Sequence, residues 1–417
     1  MASTQVDDSP AVASFRRELR TVLDEHATAS DHRQEQVSVM GEFRDDPEHL
    51  AEARRWQRLL AEGGWGAVTW PRELGGRDAG PLEVMAYAEE LTRYDVPVRV
   101  FAIGLGMIGP TIIAHGDRDQ MQRYLRPMLR GEEIWCQLWS EPDAGSDLAG
   151  LTSRAQRDGD ELVLSGQKVW TSGAHYCQLG LGVFRTNPEV PKHKGISCLI
   201  VPMDTPGISV RPLRQMTGAA HFNEVFFDDA RVPVGNVVGD VDDGWRVART
   251  TMMNERLAAG SLQSATEAFG ALRRLAGTVA RNGATAAADP VLRQHLARVY
   301  TQGRLFDLTT ARVRSTLAQG GIPGAEVSVL KLAASIYFSE LAFLGAAILG
   351  PAGTLAGEAA PEGGRWADAV LGSFAMHIGG GTDEIQRNII GETVLGLPRE
   401  PSVDRDVPFR ALLGDGG

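Results

Sequence analysis

The sequence predicts a helical domain, then a small β-domain, then a helical bundle. Three observations predict it. Apolar residues recur at helical spacing before residue 134 and again after residue 245. Between those stretches the apolar runs shorten to strand length and are bounded by turn signals. A strand-linked G-x-G-x-x-G is missing, as are the long intervening helices that parallel βαβ repeats need. The boundaries fall as an N-terminal helical domain over 1–134, a middle antiparallel β-domain over 135–244 and a C-terminal helical bundle over 245–417.

In chain order, Leu19–His26 and, more clearly, His49–Glu62 carry helical periodicity, and Gly63-Gly64 ends the second run. Residues 64–76 are a glycine-rich connection. Pro81 suits a first helical turn, so a helix starts there and runs to Leu91. Phe101–Pro110 is a glycine-spaced, tightly packed helix, and Asp119–Gly131 another. Strand composition marks Glu161–Ser165, Leu179–Arg185, Ile196–Val201 and Val225–Phe227, with turns at D-G-D, P-K-H-K-G, D-T-P-G and D-D-A-R-V-P between them. Helices follow over 245–281, 289–318, 324–349, 364–377 and 382–396. Residues 352–364 read as a glycine-rich loop, and the final G-D-G-G as a disordered end.

Composition limits the function. The chain has 417 residues, 43% of them hydrophobic, and a formal charge of −11. That is ample for a large core, and an acidic surface argues against nucleic acid and anionic membrane as partners. Cys136, Cys177 and Cys198 are odd in number and widely spaced, which suits a reduced compartment without a disulfide framework. No H-E-x-x-H or paired-cysteine pattern points to a metal. The polar, acidic N-terminus lacks a secretory pattern, and the longest apolar stretch, near Leu341–Pro351, is too short for a membrane span. The expected location is the cytoplasm.

Three segments carry chemistry. Residues 139–147 read W-S-E-P-D-A-G-S-D, residues 166–173 read G-Q-K-V-W-T-S-G, and residues 378–387 read I-G-G-G-T-D-E-I-Q-R. In the first, Pro142 and Gly145 make a bend that presents backbone N–H groups and the Ser140 hydroxyl. In the second, Trp170 offers a flat wall and Thr171 a donor. In the third, Gly379, Gly380 and Gly381 permit close backbone approach, Thr382 suits an N-cap, and Asp383-Glu384 suit the positive helix end. The plain alternatives are a polar turn in a β-domain for the first and a structural tryptophan for Trp170.

With F-F-D-D-A-R-V-P and the closing N-I-I-G-E-T-V-L-G-L-P-R, these motifs resemble the acyl-CoA dehydrogenase family from about Gly64 to Arg399. The resemblance implies FAD held between the β-domain and the C-terminal bundle, and oxidation of an acyl-CoA to a trans-2-enoyl-CoA. An α-proton goes to a base and a β-hydride to the flavin; electrons then leave to electron-transfer flavoprotein. It assigns cofactor contacts to Gln137, Leu138, Ser140, Ser146, Trp170, Thr171, Ser172, Thr382 and Glu384, and substrate contacts to Ser146, Arg256 and Gly381. It implies a homotetramer, with a heteromer as the other arrangement.

The departures matter as much. The family's usual base precedes the Gly-Thr pair, and here that residue is Gly380, which keeps only a backbone N–H for the thioester oxygen. Some members carry the base on a bundle helix that corresponds to Asn254–Leu257, which makes Glu255 the compensating candidate. Its bland alternative is an ion-pairing or solubilising helix residue, and Arg256 is equally a field-setting or structural residue. The family's R-x-Q-F-G is replaced around Arg281, and its Q-x-x-G-G-x-G becomes A-I-L-G-P-A-G from Ala347. Three functions stay open: an acyl-CoA dehydrogenase using Glu255, a related flavin monooxygenase or oxidase on a non-CoA substrate, and a noncatalytic subunit of a heteromer. Bulky, branched or sterol-derived acyl groups suit a family member with its base moved off position 380.

Overall fold

The computed structural model describes residues 9–29, 44–259, 265–281, 283–319, 321, 324, 326–357 and 359–413. Helices α1 (Pro10–His26), α2 (Pro47–Glu62), α3 (Pro81–Leu91), α4 (Gly109–His115) and α5 (Arg118–Leu129) come first. Strands β1 (Trp135–Leu138), β2 (Arg154–Asp158), β3 (Glu161–Ser172), β4 (Leu179–Arg185), β5 (Ile196–Pro202), β6 (Ile208–Leu213), β7 (Phe222–Pro233) and β8 (Val237–Val238) follow. Then come α6 (Gly244–Ala259), α7 (Ala265–Thr278), the ribbon β9 (Ala280–Arg281) with β10 (Ala284–Thr285), α8 (Pro290–Ala318), α9 (Glu326–Leu349), α10 (Arg365–Ile378), α11 (Asp383–Ile389) and α12 (Phe409–Leu412).

These elements form two compact units, one of residues 44–79, 96–258 and 400–417, the other of residues 1–43, 80–95 and 259–399. In the first unit the strands run in the order β6-β7-β3-β2-β4-β5-β8, with β1 beside β4. Most pairs are antiparallel, as expected, but β1 runs parallel to β4, from Trp135↔Leu179 to Leu138↔Gly182. β3 and β7 extend well beyond their apolar cores because half of each strand is polar, and β3 pairs with β7 through two register shifts, at 164/166 and 168/171. The segment after Phe101 forms a π-helical turn, Gly104–Ile108, that leads into α4. Gly109 permits this packing, since a Cβ there would lie 2.0 Å from the Trp70 ring. The C-terminal segment folds back onto the β4–β5 loop. Phe409 N donates to Val190 O at 2.9 Å, and the Arg185 guanidinium stacks 3.9 Å from the Phe409 ring centroid.

In the second unit α1 packs on α3, where Arg16 and Arg20 both reach the buried Glu90. α7, α8, α9 and α10 pack into a bundle around Leu272, Phe306, Tyr337, Leu341 and Trp366. The helix expected over 245–281 is seen as α6 and α7, but α7 ends at Thr278 and Ala280–Arg281 form β9 instead; residues 260–264 lie outside the described residues, as do Met1–Asp8 and the closing Gly414–Gly417. The run expected over 382–396 is α11 followed by a π-helical turn, Ile390–Val394. Another expectation changes. The helix Val327–Thr354 is long and apolar enough to cross a membrane by length and composition, although Leu341–Pro351 alone is not. More than half of its apolar window is buried, against α8 and α10 among others, which suits the core helix of a bundle.

Candidate active site

The first unit brings the first two motifs together. The Val169 N–H donates to Ser140 O at 2.8 Å, so the bend after β1 lies against the end of β3. The bend itself closes through paired backbone bonds of 3.1 Å between Glu141 and Ala144. The register shift between Lys168 and Thr171 turns Trp170 outward with φ +61°, a left-handed conformation that costs a non-glycine residue about 1–2 kcal/mol. Trp170 is 59% exposed and makes an edge contact to Phe222. Thr171 beside it is 1% exposed, and its Oγ1 has no hydrogen-bond partner among the described residues. Trp139 Nε1, next to Ser140, is in the same position. Ser140, Ser172 and Gln137 are half-buried and Ser146 is exposed, whereas the Leu138 side chain lies in the core and leaves only its backbone for a ligand.

A buried ion pair fastens the two motifs, and the sequence reading missed it. Lys168 Nζ donates to Glu141 Oε1 at 2.8 Å and to Trp139 O at 3.1 Å. Glu141 also accepts from Thr152 N at 2.7 Å, Thr152 Oγ1 at 2.9 Å and Ser153 N at 3.0 Å. Burial works to raise the Glu141 carboxyl, but the Lys168 ammonium and these donors hold it below its ordinary value. Burial pulls Lys168 down against the upward pull of Glu141. Both residues lie inside quoted motifs, and a charged residue at an inward strand position was the available signal. Gly166 has φ +136°, and a Cβ there would lie 2.7 Å from Ser153 Cα, so this approach needs glycine.

Glu255 is half-buried on α6, one helical turn after the buried Thr251. Polar contacts fix this helix to α4. Thr111 Oγ1 lies 2.9 Å from Thr251 Oγ1, and Asn254 Nδ2 donates to Met107 O at 3.5 Å, in the π-helical turn. Arg246 Nη1 donates to His115 Nδ1 at 2.9 Å, which leaves His115 Nε2 to donate to Thr250 Oγ1 at 2.7 Å. Burial first, then the Arg246 charge, lowers the His115 pKa and keeps the imidazole neutral. The Arg256 side chain lies outside the described residues.

Gly380, Gly381, Thr382 and Glu384 belong to the other unit. Gly380 and Gly381 adopt φ +65° and +84°. Thr382 caps α11 as expected, its Oγ1 accepting from Ile385 N at 3.2 Å, and Glu384 is exposed and paired with Arg387 at 3.1 Å. Arg281 Nη1 reaches Ala347 O at 3.4 Å, so the two altered family positions are neighbours.

Family models for the N-terminal, middle and C-terminal domains of acyl-CoA dehydrogenases match residues 12–132, 136–230 and 242–395. The chain belongs to the acyl-CoA dehydrogenase family. It is 41% identical to the Mycobacterium tuberculosis acyl-CoA dehydrogenase IpdE1, over 85% of this chain and 90% of that protein. The Tcur3481-Tcur3483 steroid ACAD structure matches with TM-score 0.76 and 30% identity, over 95% of this chain and all of that one. The M. tuberculosis ChsE4-ChsE5 complex matches with TM-score 0.78 and 30% identity over the same shares. These solved structures share the order of N-terminal helices, middle β-sheet domain and C-terminal helical domain.

Acyl-CoA dehydrogenases are FAD-dependent enzymes, and the first unit fits a flavin. A planar, apolar face at Trp170 stands exposed, and Thr171 Oγ1 is buried without a partner beside it. A buried hydroxyl left unbonded costs about 1–3 kcal/mol, which a polar ligand atom would offset.

Proposed function

We propose that this acyl-CoA dehydrogenase introduces a trans α,β double bond into an acyl-CoA, with Glu255 as the base that takes the α-proton. The observation that carries the reading is that the sequence has glycine at 380 and, in the same chain, a glutamate at 255. FAD, when bound, accepts the β-hydride. Gln137, the Leu138 backbone, Ser140, Ser146, Thr171 and Ser172 would hold it, with Trp170 as a flat wall, and the family resemblance adds Thr382 and Glu384. The Gly380 N–H donates to the thioester oxygen, where charge builds up as the proton leaves. The family resemblance assigns the substrate contacts to Ser146, Arg256 and Gly381.

Glycine at 380 leaves room beside the thioester, and a structural relative is named a steroid ACAD; both support a bulky, steroid-class acyl group. Two solved relatives are named for two components each, and this chain has Ala347 and Pro351 where the family has glutamine and glycine. Both points support association with a second chain of the same family rather than the homotetramer that the resemblance first implies. Electrons pass to an electron-transfer flavoprotein, and the enzyme works in the cytoplasm.

Anaerobic mixing of the FAD-loaded protein with steroid-derived, branched and straight-chain acyl-CoAs tests the reaction. Flavin absorbance is expected to bleach with at least one of them, and mass spectrometry to show a product lighter by two hydrogens. An FAD-saturated protein that no acyl-CoA bleaches contradicts the reading. A chain that, expressed alone, is an FAD-saturated homotetramer by light scattering contradicts the two-chain assembly.

A further inference from the structure

Three consecutive glycines, Gly379–Gly381, lose more backbone freedom on ordering than any other tripeptide. Yet the turn must be held if its central N–H is to act on a reacting atom. The structure fastens it on three sides. Before the turn, His377 sits in the last turn of α10. After it, Asp383 is the first residue of α11 and is 5% exposed. Gln386, also buried, donates from Nε2 to Gly380 O at 3.0 Å and lies 3.4 Å from Gly381 O.

One carboxylate joins both ends of the turn to α9. Asp383 Oδ2 lies 2.6 Å from His377 Nδ1, and Oδ1 accepts from Ser335 Oγ at 2.8 Å and Lys331 Nζ at 3.1 Å. His377 Nε2 lies 2.7 Å from Ser339 Oγ. Lys331, Ser335 and Ser339 follow at four-residue steps, which is one stripe of α9. Burial alone would raise the Asp383 carboxyl; the bonds from His377, Ser335 and Lys331 outweigh it and keep the group ionised.

The chain Ser339–His377–Asp383 has the connectivity of a nucleophile, a base and an orienting acid. Ser339, however, sits in the middle of α9 and is 9% exposed, so it presents no nucleophile to a substrate. The arrangement is a clamp.

We propose that Asp383 and Gln386 are positioning residues that hold the Gly380–Gly381 turn so that the Gly380 N–H meets the thioester oxygen. This rests on the reading of Gly380 as the oxygen's donor. Neither residue touches substrate. Asp383 acts through His377 and α9, and Gln386 through the Gly380 carbonyl. Removing one oxyanion donor costs about 10²–10³ in rate, so loosening one is expected to cost about tenfold or more.

The test uses the full, FAD-loaded enzyme and the variants Asp383→Asn and Gln386→Met, the second guarding against a folding defect in the first. Hydrogen–deuterium exchange by mass spectrometry is read on the fragment 379–387. Binding is read for the acyl-CoA thioester that bleaches the native flavin fastest and for its S-alkyl-CoA thioether, which lacks the carbonyl oxygen. The proposal expects exchange faster by about tenfold, thioester binding weaker by about tenfold and thioether binding unchanged. Unchanged exchange, or equal weakening of both ligands, overturns it. A native enzyme that binds thioester and thioether alike overturns the Gly380 reading and this proposal with it. A native preference retained in both variants overturns the clamp alone.

Discussion

Replacing Lys168 by methionine leaves Glu141 buried and without its countercharge. Lys168 is fully buried and Glu141 nearly so, with 2.8 Å between Nζ and Oε1. Breaking such a pair from one side costs about 3–5 kcal/mol. Glu141 keeps its bonds from Thr152 and Ser153, so the loss falls at the lower end, about 3 kcal/mol. The pH dependence has a definite sign. In the native protein the Glu141 carboxyl is held below its ordinary value, so its contribution is present above that value and fades as the pH falls through the folded-state value. In Lys168→Met, burial, already the largest single influence on the carboxyl, loses its main opponent and pushes the group up, so the variant regains stability as Glu141 takes a proton. The gap between native and variant is therefore expected to narrow as the pH falls from neutral. Urea unfolding followed by tryptophan fluorescence measures it, because of the eight tryptophans only Trp366 lies outside this unit. A loss below about 1 kcal/mol, or a gap that widens toward acid, refutes the argument.

Thr171→Val removes a hydroxyl that has no partner among the described residues, so the FAD-free form is expected to be no less stable. Its FAD affinity should fall by about tenfold, the equivalent of one hydrogen bond; equilibrium dialysis with FAD and a thermal melt of the FAD-free protein report the two halves. Trp170→Gly relieves a left-handed backbone while losing the edge contact to Phe222, so the FAD-free stability is expected to change by less than about 1 kcal/mol. FAD retention on gel filtration should drop in the same variant, and full retention would show that Trp170 is no cofactor wall.

The order of helices, sheet and bundle was legible because periodicity and turn residues are local signals. α8, α9 and α10 begin and end within two residues of where spacing places them. The two-residue β8 and the largely polar β2 were not legible, since neither leaves an apolar alternation to read, and in β6 Pro212 cuts short the alternation that Ile208 and Val210 begin. The bend at 139–147 and the cap at Thr382 were legible because proline, glycine and threonine act on their own backbone. What holds them was not. Glu141 with Lys168, and Asp383 with His377, Ser335 and Lys331, are partnerships between distant positions that only the folded chain defines. A charged residue in a motif announces itself as surface or site, and both carboxylates turned out to be buried fasteners.

The central claim is that Glu255 is the base. Glu255→Gln keeps the size of the side chain and removes its capacity to take the α-proton. Rapid mixing of the FAD-loaded variant with an acyl-CoA that bleaches the native flavin measures the reductive step directly. FAD content and ligand binding are expected to stay near native, and the bleaching rate to fall by at least about 10². A Glu255→Gln enzyme that bleaches at the native rate would place the base elsewhere in the chain or in a partner.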